Sequence, residues 1–250
     1  MLESRISFST EKIFEEATDT HPMPAKMNIP QWYKKLSHNA HKKTVKGCMP
    51  FLDAISAGYI LRLSQDFILK HNQEIDKKEP QTAFVPSLRN MAPPTAGVLN
   101  LNRDPEIHGQ LQVEGSPLLE KNMDFHIHKI LNPWYIKTPP GYSCLFVPPL
   151  NNNDDRFDII SGIVDTDTFP ARINFPFVVN GYKYPKLDTV LKRGTPYAQV
   201  IPFKRQGWKM KLSFLETKDA PQRHLQNLYK IHSKLVHVYK SFWWNKKTWN

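Results

Sequence analysis

Between residues 123 and 215 the apolar residues come in short runs. Each is closed by proline or glycine before a helix has room to form. Phe125-His126-Ile127-His128-Lys129-Ile130, Tyr142-Ser143-Cys144-Leu145-Phe146-Val147, Arg172-Ile173-Asn174-Phe175 and Tyr197-Ala198-Gln199-Val200-Ile201 are the clearest. Pro133, Gly141, Pro148, Pro170, Pro176, Pro196 and Pro202 stand at or near their ends. Proline lacks the amide hydrogen that a helix interior or a central ladder needs, so it ends an element. Short strands at this spacing, with no helix between them, predict an all-β barrel or sandwich-like body.

The rest of the chain is organised around that body. Residues 1–46 read as a polar extension with short extended pieces, where Pro22, Pro24 and Pro30 exclude a helix and Ile29-Pro30-Gln31-Trp32-Tyr33 offers an aromatic anchor. The β domain spans 47–218. It opens with a strand-like stretch from Gly47 to Lys70 and turns at Ser64-Gln65-Asp66. Residues 71–122 are a loop-rich insertion, with short strands expected at Val98–Leu101 and Gln110–Val113. Residues 219–250 differ again. Leu225, Leu228, Tyr229, His232, Leu235, Val236, Tyr239 and Phe242 recur at helical spacing behind a start at Asp219 and Pro221. They predict an amphipathic helix whose apolar stripe lies against protein, with Trp243 or Trp244 anchoring its far end.

The 250-residue chain is 40% hydrophobic and 23% charged, which is ordinary globular usage. No apolar run approaches the roughly 20 residues of a membrane-spanning helix. Met1-Leu2-Glu3-Ser4-Arg5 does not open a secretory signal, so the cytosol is the expected compartment. Cys48 and Cys144 lie far apart and predict two buried free thiols, without a zinc site or disulfide framework. The net charge of +11 is uneven, because no acid follows Asp219 while six lysines and arginines do. Such a tail suits nucleic acid, an acidic protein surface or plain solvation.

Three segments in order carry a family likeness. They are Ser56-Ala57-Gly58-Tyr59-Ile60-Leu61; Thr138-Pro139-Pro140-Gly141-Tyr142 running on to Gly162-Ile163-Val164-Asp165-Thr166-Asp167; and Gly194-Thr195-Pro196-Tyr197-Ala198-Gln199-Val200-Ile201. Together they resemble the signatures of the dUTP pyrophosphatase and dCTP deaminase superfamily across residues 47–205. The resemblance implies a β-clip barrel and a homotrimer with sites between subunits. It places Asp165, Asp167 and Gln199 at the nucleotide, with Asp165 positioning the attacking water beside Mg²⁺. It also marks losses. Ile60 stands where the metal-holding acid belongs, and an alkyl side chain cannot ligate a hard cation. Asn151-Asn152-Asn153 follow where a phosphate-binding arginine and serine belong, and asparagine cannot neutralise a triphosphate. Arg172–Pro176 lacks the deaminase acid, Thr168 replaces the sugar-stacking aromatic, and no Gly-rich closing arm follows. With Trp32 and Trp134-Tyr135, the whole pattern also resembles uncharacterised proteins of tailed phages of marine bacteria.

The expected function is therefore a non-catalytic, phage-derived structural or interaction protein, in the host cytoplasm or the virion and without a cofactor. Its partners would be further copies of itself, a virion component or a host protein. The alternative is a Mg²⁺-dependent deoxynucleoside triphosphate pyrophosphatase using Asp165. A second alternative is a nucleic-acid module in which Trp243, Trp244 and Trp249 stack bases while Lys246 and Lys247 track phosphates. The same tail residues suit docking onto protein, which is the favoured use. His126 and His128 share a strand face and could begin a metal site with His108 or Asp124, although exposed or core histidines explain them more simply.

Overall fold

A computed structural model describes residues 5–39, 41–72, 82–86, 107–108, 110–123, 125, 127–214, 220–232 and 238–250. The chain is mainly β, with antiparallel pairing throughout the described ladders.

Two strands, β1 (Ser7–Ser9) and β8 (Tyr135–Lys137), form a small sheet. The largest sheet runs β11 (Gly162–Val164), β9 (Tyr142–Val147), β14 (Pro196–Lys204), β3 (Tyr59–Arg62) and β2 (Met23–Pro24). A third places β10 (Phe157–Ile159), β12 (Phe175–Val179), β7 (Ile127–Ile130) and β6 (Ile107–His108) side by side. The fourth joins β13 (Lys186–Leu191), β4 (Phe67–Asn72) and β5 (Thr82–Pro86). All four sheets feed one core. Leu61, Leu69, Ile130, Ile136, Phe146, Phe175, Tyr197 and Val200 belong to it, and the edge-on Phe175–Tyr197 pair sits 5.4 Å apart. Burying each large side chain contributes about 1.5–3 kcal/mol, so this shared core fixes the sheets against one another.

Several expectations change in detail. The stretch after Gly47 begins as helix α2 (Met49–Ser56), not as strand. Pro50 sits in its first turn, where a missing amide hydrogen costs nothing, and Met49 and Ile55 are buried. Helix α1 (Gln31–Lys35) starts directly after Pro30. In the aromatic anchor at 29–33, Tyr33 is buried and stacked on Phe51 at 5.7 Å, and the half-exposed Trp32 packs edge-on against both rings. Gln110–Val113 forms a 3-10 turn leading to helix α3 (Pro117–Asn122), capped by the Ser116 hydroxyl. The expected strand at 98–101 lies outside the described residues. Residues of the insertion nevertheless contribute β5 and β6 to two sheets. Cys144 is buried and its thiol pushed up to about 11 by burial, but Cys48 is exposed.

The C-terminal segment folds as α4 (Ala220–His232) and α5 (Val238–Phe242). No described helix is long and apolar enough to cross a membrane.

Candidate functional site

The Gly162–Asp167 segment makes β11 and then a tight turn. The amides of Thr168 and Phe169 both donate to the Asp165 carbonyl, at 3.1 and 2.9 Å. Thr166 points inward, where its hydroxyl meets that of Thr138 at 2.7 Å and donates to Cys144 Sγ at 3.3 Å. With Thr166 anchored, Asp165 and Asp167 flank it.

Their partner is Arg205, immediately after β14. Its Nη1 donates to Asp165 Oδ1 at 3.2 Å, to Asp167 Oδ1 at 2.8 Å and to the Ser143 hydroxyl at 3.0 Å. Its Nη2 donates to Asp167 Oδ2. Ser143 in turn donates to Asp165 Oδ1 at 2.6 Å, and the Gly141 amide donates to Asp167 Oδ2 at 2.8 Å. The Arg205 backbone amide closes the ring by donating to the Gly141 carbonyl at 2.8 Å. The Arg205 guanidinium, helped by the Gly141 amide, holds the Asp167 carboxyl well below the usual carboxylate range. A cation therefore already bridges the acid pair, and a fork-shaped one suited to two carboxylates.

Gln199 is placed elsewhere. It is buried in β14, and its amide is consumed by backbone: Oε1 accepts from Leu150 N at 2.8 Å, while Nε2 donates to the carbonyls of Ala54 and Ala57 at 2.9 and 2.6 Å. It ties the end of α2 to the turn after β9. Gly58 beside it has φ +63°, and a Cβ there would lie 1.9 Å from the Val200 carbonyl oxygen. The Ser-Ala-Gly run thus serves a close backbone approach that only glycine allows.

The tail folds back on the body. Trp244 donates through its indole nitrogen to both carboxylate oxygens of Asp53, at 3.1 and 2.9 Å, and Lys247 Nζ reaches the same carboxylate at 2.7 Å. Tyr59 donates to the Asn250 carbonyl at 3.0 Å, and Lys26 to the Asn250 side chain at 2.8 Å. Trp249 lies between these ties and helps to enclose a cavity of about 470 Å³ with Tyr59, Thr138, Pro139, Tyr142 and Pro202. Trp243 and Lys246 stay exposed. The docked end matches the expected anchoring by Trp244. The helical stripe is another matter, since Leu225, Tyr229 and Phe242 are largely exposed and Leu235 lies outside the described residues.

Of the histidines, His128 is buried against Phe177, and His126 and Asp124 lie outside the described residues. No group of three or more potential metal ligands occurs among the described residues. Arg205 and Asp53 escaped the sequence reading. An isolated charge carries no spacing signal, and each partner is distant in the chain. Comparison with known proteins returns no matching family model, no matching curated protein and no matching solved structure.

Proposed function

We propose that this chain is a non-catalytic structural or interaction protein on a degenerate dUTP pyrophosphatase-like β-clip, of phage origin and self-associating. The observation that carries this reading is the Arg205 bridge. Asp167, its side chain almost fully buried, holds the last strand's exit to the Gly141 turn and spends its charge on the fold. Asp165 gives Oδ1 to the same guanidinium while its side chain stays more than half exposed. A water-positioning acid and a metal ligand need lone pairs facing the substrate. Here the inner oxygens face a guanidinium. Gln199, the third nucleotide candidate, has its amide turned to backbone. Trp244 and Lys247 are engaged by Asp53 of the same chain, which weighs against their stacking bases and tracking phosphates.

Nucleotide binding gives a direct check. Melting temperature followed with millimolar Mg²⁺ and dUTP or dCTP is expected to stay where it is without ligand. A ligand binding the folded state at a hundred times its Kd would stabilise by about 2.7 kcal/mol and be easily seen. A rise that Asp165→Ala removes would overturn the reading.

A further inference from the structure

We propose that residues 206–214 are an arm received by a second copy of this chain, exchanged reciprocally. The proposal deepens the self-association part of the reading above and is independent of nucleotide binding.

β14 pairs with β9 as far as Lys204 opposite Tyr142, and Arg205 makes one further backbone bond to Gly141. The chain then leaves the sheet. Residues 206–214 are all exposed, contain neither helix nor strand, and make no hydrogen bond among the described residues. Their sequence is nevertheless patterned. Trp208, Met210, Leu212 and Phe214 alternate with Lys209, Lys211 and Ser213, the period of a strand with one apolar face. Those four side chains are 84%, 86%, 72% and 93% exposed. A linker has no need of such alternation, and a monomer seldom leaves four large apolar groups in a row in water.

The area argues for exchange between copies. Four side chains of this size offer roughly 600 Å² of apolar surface, so two reciprocal arms offer roughly 1,200 Å² before the receiving surfaces are counted. That already reaches the range of a stable specific interface. A second copy also supplies what the arm lacks. β11 and β13 are sheet edges whose outer sides are unpaired among the described residues, and an extended segment adds to such an edge through its backbone. Reciprocal exchange also closes on itself, so it ends in a defined oligomer and not a fibre.

Light scattering on the full chain, from about 1 to 100 µM, tests this, with Trp208→Ser/Phe214→Ser as the variant. The wild type is expected at two or more times the 29.1 kDa chain mass. The variant is expected at the single-chain mass with its far-ultraviolet circular dichroism unchanged, because neither side chain supports the body of its own copy. A wild type that stays monomeric at the top concentration overturns both the arm and the self-association. A variant as oligomeric as the wild type overturns the arm alone and leaves self-association standing.

Discussion

Replacing Gln199 by glutamate is expected to cost about 3–5 kcal/mol of unfolding free energy, read as a lower midpoint in urea. The change keeps the acceptor that Leu150 uses but removes the amide hydrogens that reach Ala54 and Ala57. Two buried carbonyls then face a carboxylate with nothing between them. Each unsatisfied buried group costs about 1–3 kcal/mol, and a buried charge adds more. Gln199→Leu should fall in the same direction by a smaller amount, because it orphans the Leu150 amide as well as the two carbonyls but buries no charge. If Gln199 instead serves a nucleotide, Gln199→Glu would shift stability by less than about 1 kcal/mol, within the range of an ordinary tolerated change.

Arg205→Ala is the second large effect. It removes the bridge between Asp165 and Asp167 and leaves like charges on either side of Thr166. A fall in melting temperature of roughly 3–6 °C at pH 7 is expected for a domain of this size. The pH dependence carries the sharper sign. Asp167 in the folded wild type is held below its unfolded value, so its contribution is present above about pH 4 and is lost as pH falls through and below that range. The variant lacks the guanidinium that causes the depression. The gap between wild type and variant should therefore narrow as melts are taken from pH 7 toward pH 3. A gap that widens in acid, or no gap at neutral pH, would show that the bridge does not stabilise the fold.

The β architecture was legible because its signal is local. Pro and Gly bound β7 and β9 as expected, but Pro176 and Pro202 lie inside β12 and β14, so the strand expected at 172–175 forms instead at Phe175–Val179. Helix α2 departs from the expected strand because Ser56-Ala57-Gly58 invites an extended reading, whereas Pro50 in the first turn marks a helix that starts at Met49. The site was half legible. Asp165 and Asp167 stood out by motif, but their meaning depends on Arg205, 38 to 40 positions away, whose reach no local pattern encodes. Gln199 shows the same limit. Its motif points to a ligand, while only the tertiary packing of α2 reveals three backbone partners. The arm at 206–214 carried an alternating pattern that was readable from the start, yet its significance lies in exposure, which the sequence does not contain.

Everything in the functional account turns on whether the Asp165–Asp167–Arg205 cluster is structural. The decisive measurement is pyrophosphate release from dUTP and dCTP by pure protein with Mg²⁺, beside Asp165→Ala. Phosphoryl chemistry needs metal and donors around the developing charge, and losing one such donor typically costs 10²–10³-fold. With Ile60, Asn151 and the bridged acids in place, wild type and variant are both expected at the level of the buffer. Turnover by the wild type that disappears in Asp165→Ala would contradict the account.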